Sequence, residues 1–202
     1  MHDRSGMNQA EEEAKDDAQL MQRIAEGDQR AFQALMRRHL GRTVRLAARV
    51  LGSSAAAEDV AQESFLRVWK HARQWEDPET AGARFSTWLY RIVVNLCIDE
   101  KRKRRFSALD DIPEMPDTGP GAERQMERQE QSARVRAALA ELPERQRAAF
   151  VLCFYEEHSN KEAADILGVG VKAVESLLVR ARKTLRDRLE GEMRDMKGQG
   201  RP

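Results

Sequence analysis

Side chains able to recognise an anion or a base edge are concentrated near the C-terminus, where Lys172, Glu175, Ser176, Val179, Arg180, Lys183 and Arg186, with Arg182 on the flank, recur at three- and four-residue spacing. On a helix this spacing gathers them on one side, while Val174, Leu177, Leu178, Ala181 and Leu185 gather on the other. Ammonium and guanidinium groups suit phosphates, and arginine, serine and glutamate also suit base edges. Over residues 171–188 the basic Lys172, Arg180, Arg182, Lys183, Arg186 and Arg188 outnumber Glu175 and Asp187, a local charge of +4 that favours nucleic acid over mere solvation of a helix face. A second stripe lies earlier. Trp88, Arg91, Asn95 and Arg102 fall within about 60° of one another on a helical wheel, and this segment runs into five consecutive basic residues, Lys101 to Arg105.

Residues suited to bond chemistry are not arranged for it. The four histidines, at 2, 39, 71 and 158, are scattered, and no Cys/His spacing suits a metal. The paired carboxylates Asp110 and Asp111 lie in a stretch that reads as linker. His39 and His71 read as helix-surface residues. Cys97 and Cys153 sit in apolar runs and read as buried small hydrophobes rather than a disulfide framework. The pattern implies a binding protein with neither cofactor nor metal, not an enzyme.

The elements that must position these residues are helices. Charged residues make up 34% of the 202 residues and aromatic residues only 5%, which suits amphipathic helices better than sheets. The net charge of +1 hides a segregation of acidic and basic blocks along the chain. Leu20, Met21 and Ile24 begin a short helix, and Asp28 can cap a longer one carrying Phe32, Leu35, Met36, Val44, Ala47, Val50 and Leu51 inward. From Ala55 to about Arg73, Val60, Ala61, Ser64, Phe65, Val68, Trp69 and Ala72 face inward and Asp59, Gln62, Glu63, Arg67 and Lys70 outward. Residues 74–84 read as a loop, after which Ser86 can cap the helix of the Trp88 stripe, with Leu89, Ile92, Val93 and Leu96 facing the core.

Residues 107–123, with five acidic residues, three prolines and two glycines, form a linker. Helical periodicity resumes near Glu123, and Pro143 suits the start of another helix. Ser159-x-x-Glu162 is a capping-box pattern ahead of Ala163, Ala164, Ile166 and Leu167. Gly168-Val169-Gly170 then supplies a tight turn into the cationic helix, and the three parts describe a helix-turn-helix. The expected fold is therefore all-α: two small helical modules, 17–106 and 124–190, joined by the acidic linker and flanked by disordered tails, 1–16 and 191–202. No apolar run approaches the about 20 residues that span a bilayer, and the polar N-terminus shows no signal peptide, so a cytoplasmic protein is expected.

DVAQESFLRVWKHA at 59–72, FSTWLYRIVVNLCIDEKRKRR at 85–105 and LPERQRAAFVLCFYEEHSNKEAADILGVGVKAVESLLVRARKTL at 142–185 together resemble the extracytoplasmic-function sigma factors, over roughly residues 20–190. The resemblance implies a region-2 module that binds core RNA polymerase and recognises and melts the −10 promoter element. It implies a region-4 module that reads the −35 element through the helix-turn-helix. By this resemblance Asp59, Gln62 and Glu63 would dock on the clamp of the largest polymerase subunit. Trp88, Arg91, Asn95 and Arg102, with the loop 74–84, would meet the upstream edge of the bubble and accept an unstacked base, which needs an aromatic or apolar surface with nearby cations.

Glu175, Ser176, Val179 and Arg180 match the family's base-contacting positions, and Lys172, Arg182, Lys183 and Arg186 its phosphate contacts. Glu175 and Leu177 stand where many members carry basic residues, and glutamate accepts from cytosine N4. An anti-sigma factor that covers the polymerase-binding faces, and so keeps a stress-responsive regulon silent, is a further partner the family implies. In the free protein the two modules could pack together and hide both DNA surfaces. The alternative is a polymerase-independent helix-turn-helix regulator, but residues 20–105 show no alternating strands and helices of a receiver module.

Overall fold

The computed structural model describes residues 16–75, 84–107 and 134–199, all but the turns being helical. Residues 1–15, 76–83, 108–133 and 200–202 lie outside the described residues, and with them most of the expected loop, the linker and the first part of the helix expected from Glu123 to Leu142, whose last turns, 134–140, are helical.

Helix α1, residues 16–25, and α2, Gln29–Leu51, are joined at Gly27 and Asp28. The Asp28 carboxylate accepts from the Arg30 and Ala31 amides at 2.8 and 3.1 Å, the N-cap the sequence called for. Helix α2 ends at Gly52, whose φ of 76° is the left-handed geometry glycine tolerates best. Helix α3, Ser54–His71, starts from the Ser53 cap and runs into a 3-10 turn, Ala72–Gln74. Its inward residues Val60, Ala61, Ser64, Phe65, Val68 and Ala72 are buried, and Trp69 is half-buried with its ring 5.2 Å from that of Phe32.

Helix α4, Phe85–Ser107, begins earlier than the expected Ser86 cap. Phe85 is buried among His39, Trp75 and Trp88, ring centroids 5.1 to 6.4 Å away, so packing of the aromatic ring sets the helix start and Ser86 falls in the first turn. The buried face of α4 is Leu89, Tyr90, Val93, Val94 and Cys97, wider than the expected set because helices from both halves of the chain lie against it.

The C-terminal half comprises α5, residues 134–140, α6, Glu144–Phe154, α7, Asn160–Leu167, and α8, Val171–Gln199. The backbone of α8 stays helical well beyond residue 190, where a disordered tail was expected; the good helix formers of 192–197 offer no proline to stop it. Helices α5, α6 and α8 close a small cluster of Ala138, Leu139, Leu142, Ala181 and Leu185.

The two halves are not separate bodies. One buried cluster runs from Met21 in α1 to Leu178 in α8, with α2 packed on α6 and α4 packed on α7 and α6. His39, read from the sequence as a surface residue, is 6% exposed, and its Nε2 lies 2.8 Å from Oδ2 of the buried Asp17. That carboxylate, which also accepts from Arg38 at 2.7 Å, satisfies the imidazole and makes its burial tolerable. His71 is exposed, as expected.

Candidate nucleic-acid interface

The helix-turn-helix is built by local chemistry. Ser159 Oγ accepts from the Glu162 amide at 3.2 Å while a Glu162 carboxylate oxygen accepts from the Ser159 amide at 2.9 Å, so two end-of-helix donors of α7 are satisfied reciprocally. The Ser159 bonds hold the Glu162 carboxyl below the usual carboxylate range. Gly168, at φ 64° and ψ 38°, ends α7 in the left-handed region, and Val171 opens α8 after Gly170.

On α8, Val174, Leu178, Ala181 and Leu185 are buried and Leu177 is half-buried, so the opposite face is turned outward as the spacing required. Lys172, Glu175, Ser176, Arg180 and Lys183 are exposed, and Val179 is 64% exposed at the centre of this face. The Ser176 hydroxyl donates to the Lys172 carbonyl at 3.0 Å, leaving its oxygen lone pairs directed outward as acceptors.

Two arginines assigned to phosphates, Arg182 and Arg186, are exposed but border a groove on the flank of α8. The Arg182 guanidinium lies 4.9 Å from the centroid of the Phe154 ring, and Arg182 and Arg186 line a groove of about 400 Å³ with Val135, Phe150, Phe154 and Leu189. Arg188 is drawn 2.6 Å from Glu141 at the end of α5. The expected cations of α8, Lys172, Arg180, Arg182, Lys183 and Arg186, are therefore all exposed, and Arg182 also lies against a ring. Stacking on an exposed aromatic face competes with extension into solvent, and the spacing of α8 alone does not reveal the ring beside it.

The α4 stripe is only partly presented. Asn95 and Arg102 are exposed, Arg102 lying 3.6 Å from Asp99, whereas Trp88 is half-buried against Phe85. Arg91 reaches across to α7: its Nε donates to the Asp165 carbonyl at 3.1 Å and its Nη2 donates to the same oxygen. Packing of the two halves thus engages Arg91 with α7 but leaves Arg91, Asn95 and Arg102 exposed along with the α8 face, so the expected hiding of both DNA surfaces is not seen among the described residues.

On α3, Asp59 and Gln62 are exposed, and Glu63 accepts from Arg67 Nε at 2.9 Å, a bond that lowers its carboxyl pKa. Leu66, 50% exposed, completes this face at helical spacing from Asp59, Gln62 and Glu63. The sequence reading passed over it, although an apolar residue on an otherwise charged face was the available signal.

Among the described residues no three His, Cys, Asp or Glu side chains converge as metal ligands, and no helix is long and apolar enough to cross a membrane. Cys97 is fully buried, which pushes its thiol up to about 12, and Cys153 is half-buried with its thiol also raised by burial.

The family models for sigma-70 region 2 and sigma-70 region 4 match residues 35–107 and 132–185 respectively. The ECF RNA polymerase sigma factor SigE of Mycolicibacterium smegmatis is 38% identical over 172 residues, 82% of this chain and 65% of that relative's length. The RNA polymerase sigma factor NccH of Alcaligenes xylosoxydans xylosoxydans is 35% identical over 176 residues, 84% of this chain and 92% of the relative. The ECF RNA polymerase sigma factor SigM of Mycobacterium tuberculosis is 36% identical over 171 residues, 85% of this chain and 83% of the relative. This chain belongs to the ECF sigma factors.

Among solved structures, CnrH in complex with the cytosolic domain of CnrY is similar at a TM-score of 0.64 and 31% identity, covering 87% of this chain and 98% of that one. Region 2 of this sigma factor is thus α2 to α4, and region 4 is α5 to α8 up to Leu185. The chain is a transcription initiation factor of the type that brings RNA polymerase to promoters, and its helix-turn-helix belongs to region 4 rather than to a free-standing regulator.

Proposed function

We propose that this sigma factor works in the cytoplasm by dividing three contacts among three helices, without bond chemistry of its own. The observation that carries the reading is the joint presence, in one chain, of the outward cationic face of α8, the Trp88–Arg102 stripe of α4 and the Asp59–Leu66 face of α3. Lys172 and Lys183 neutralise phosphates of the upstream promoter element, while Glu175, Ser176, Val179 and Arg180 meet base edges in the major groove. Val179 is suited to a thymine methyl and Arg180 to guanine. On α4, Trp88 supplies an aromatic surface, and Arg91, Asn95 and Arg102 supply polar and cationic partners for an unstacked base and its backbone.

Asp59, Gln62 and Glu63 dock on core polymerase, with Leu66 as the apolar centre of that contact. The groove beside Phe154, apolar and rimmed by Arg182 and Arg186, suits the apolar face of a partner helix with acidic flanks. An anti-sigma factor is the partner we assign to the free protein. The solved relative CnrH is bound to the cytosolic domain of CnrY, and control from outside the chain suits two modules that carry only binding surfaces.

Run-off transcription with purified core polymerase on a randomised promoter library, with and without the protein, tests the reading. Protein-dependent starts sharing two sequence elements are expected. Retardation of specific duplexes by the protein alone, with no gain in polymerase starts, would replace the reading with a polymerase-independent regulator.

A further inference from the structure

Helix α1 precedes residues 35–107, the segment matched to region 2, but is tied to that segment at both ends. Asp17 Oδ2 lies 2.8 Å from His39 Nε2, and Asp17 Oδ1 accepts from Arg38 Nη1 at 2.7 Å. Asp17 and His39 are both buried. At the other end the Ala25 carbonyl accepts at 3.0 Å from Nε of Arg73, in the 3-10 turn that leads to Trp75.

Both ties end on aromatic rings. The His39 ring meets that of Phe85 edge to face, with centroids 5.1 Å apart and planes at 65°. Phe85 in turn carries Trp75 at 6.4 Å and Trp88 at 6.1 Å. Phe85 is buried, whereas Trp75 and Trp88 are half-buried, so the phenyl ring is a floor under two indoles that keep part of their surface free. Trp75 and Phe85 also stand on the two sides of residues 76–84 in the sequence, and their contact brings those flanks together.

Packing alone would not require a carboxylate behind this floor. A buried charge-assisted pair gains little net stability, because desolvation offsets the attraction, and an apolar pair of similar volume fills such a site as well or better. What Asp17 adds is direction. Bound through Nε2, the imidazole has a fixed plane and meets Phe85 at a fixed angle. A base stacks well only on an indole held at one angle, and residues behind a site set such angles.

We propose that His39, oriented by Asp17, is the positioning residue of the −10 site: it holds Phe85 so that the Trp75 and Trp88 indoles meet the unstacked base at one angle, and α1 thereby sets selectivity for that base. His39 is buried and touches no DNA; it acts through Phe85. The proposal rests on the reading of Trp88 as the aromatic surface for the base and extends it to the residues behind that surface.

Abortive initiation by core polymerase with the full-length chain tests it, on four bubble templates that differ only in the non-template base at the upstream bubble edge. The readout is the ratio of the fastest template to the slowest, which a smaller folded fraction leaves unchanged. The double variant Asp17→Leu/His39→Phe keeps the site filled and apolar, and His39→Gln keeps a donor for Asp17 without the ring. Both are expected to lower the ratio about three- to tenfold. Asp17→Asn keeps an acceptor for the imidazole and is expected to stay close to the wild-type ratio.

Variants that slow all four templates by one factor, or that keep the wild-type ratio, would overturn the proposal, because either result confines Asp17 and His39 to the fold. An Asp17→Asn chain as unselective as the double variant would overturn it too, since an acceptor is then not what orients the ring. Trp88→Ala separates this from failure of the underlying reading. If Trp88→Ala keeps the wild-type ratio, the indole does not receive the base; if it flattens the ratio while the His39 variants do not, only the positioning role fails.

Discussion

Arg147 Nη1 and the Val50 carbonyl lie 3.0 Å apart, joining region 4 to the last turn of a region-2 helix inside the protein. The same guanidinium donates through Nη2 to the carbonyls of Ala140 and Leu142, so one side chain closes the α5–α6 junction and the contact between the two modules together. Among the described residues no carboxylate bonds it; burial pulls its pKa down to about 10 against the pull of the Glu144 charge, so it stays protonated at neutral pH, with three carbonyls accepting from it. Arg147→Ala leaves those carbonyls without donors and opens a void. The expected loss is about 2–4 kcal/mol of unfolding free energy. Urea denaturation followed by circular dichroism measures it, and a loss below about 1 kcal/mol would mean that water replaces the guanidinium freely.

How much of this was legible in the sequence depends on how far away each partner lies. The Asp28 cap, the Ser159–Glu162 capping box and the Gly168 turn are fixed by neighbours within three or four residues, and each appears where the sequence placed it. The inward faces of α3 and α8 follow from helical period alone. By contrast, the burial of His39 depends on Asp17, 22 residues earlier, and the direction of Arg91 on Asp165, 74 residues later. Arg147 reads as one more surface charge in an ERQR run, since its acceptor Val50 is 97 residues away. Arg182 turned toward Phe154 because an aromatic ring on α6 competes with solvent for its guanidinium. Spacing gives the face a residue occupies, but not what another helix brings to that face.

His158 should make the stability of the protein depend on pH. Its ring is packed on Tyr90 and its Nε2 is buried without a hydrogen-bond partner among the described residues, and burial lowers its pKa below the usual 6.5, outweighing the opposing pull of Glu162 and Glu156. A base whose folded pKa is depressed contributes stability that is fully present above its unfolded pKa and is lost as pH falls through the folded value. Acidification from about pH 7.5 to about pH 5.5 is therefore expected to lower the unfolding midpoint more for wild type than for His158→Gln. Equal slopes for the two proteins would show that the imidazole is not the group responsible.

The α8 face makes separable predictions for affinity and specificity. Lys183→Ala removes an exposed charge proposed to meet phosphate, and is expected to weaken binding evenly across sequences and reduce the salt slope by about 1. Arg180→Ala is expected to cost about 1–3 kcal/mol on the preferred promoter and to relax preference at one base pair. Arg182→Ala, whose guanidinium lies on Phe154, should change the salt slope less than Lys183→Ala does. Titrations against promoter and unrelated duplexes at several salt concentrations distinguish these cases. A larger salt effect from Arg182 than from Lys183 would mean that Arg182 leaves the ring when DNA arrives.

Leu66 provides the sharpest test of the proposed polymerase-docking face, because its side chain is half in water and contributes little to the fold. Leu66→Ala should leave the unfolding midpoint within about 0.5 kcal/mol of wild type. An apolar residue ringed by Asp59, Gln62 and Glu63 has the arrangement of an interface anchor, whose polar neighbours exclude water around it. Removing it is expected to weaken core polymerase binding by about 1–2 kcal/mol while leaving duplex binding by region 4 unchanged. Gln62→Ala should act in the same direction but more weakly, since a rim polar group exchanges one hydrogen bond with water for another. Fluorescence anisotropy of the labelled chain with core polymerase, run beside a promoter-duplex titration, separates the two activities. If Leu66→Ala binds polymerase as wild type does, the docking surface lies on another helix, and the charged residues around Leu66 only solvate α3.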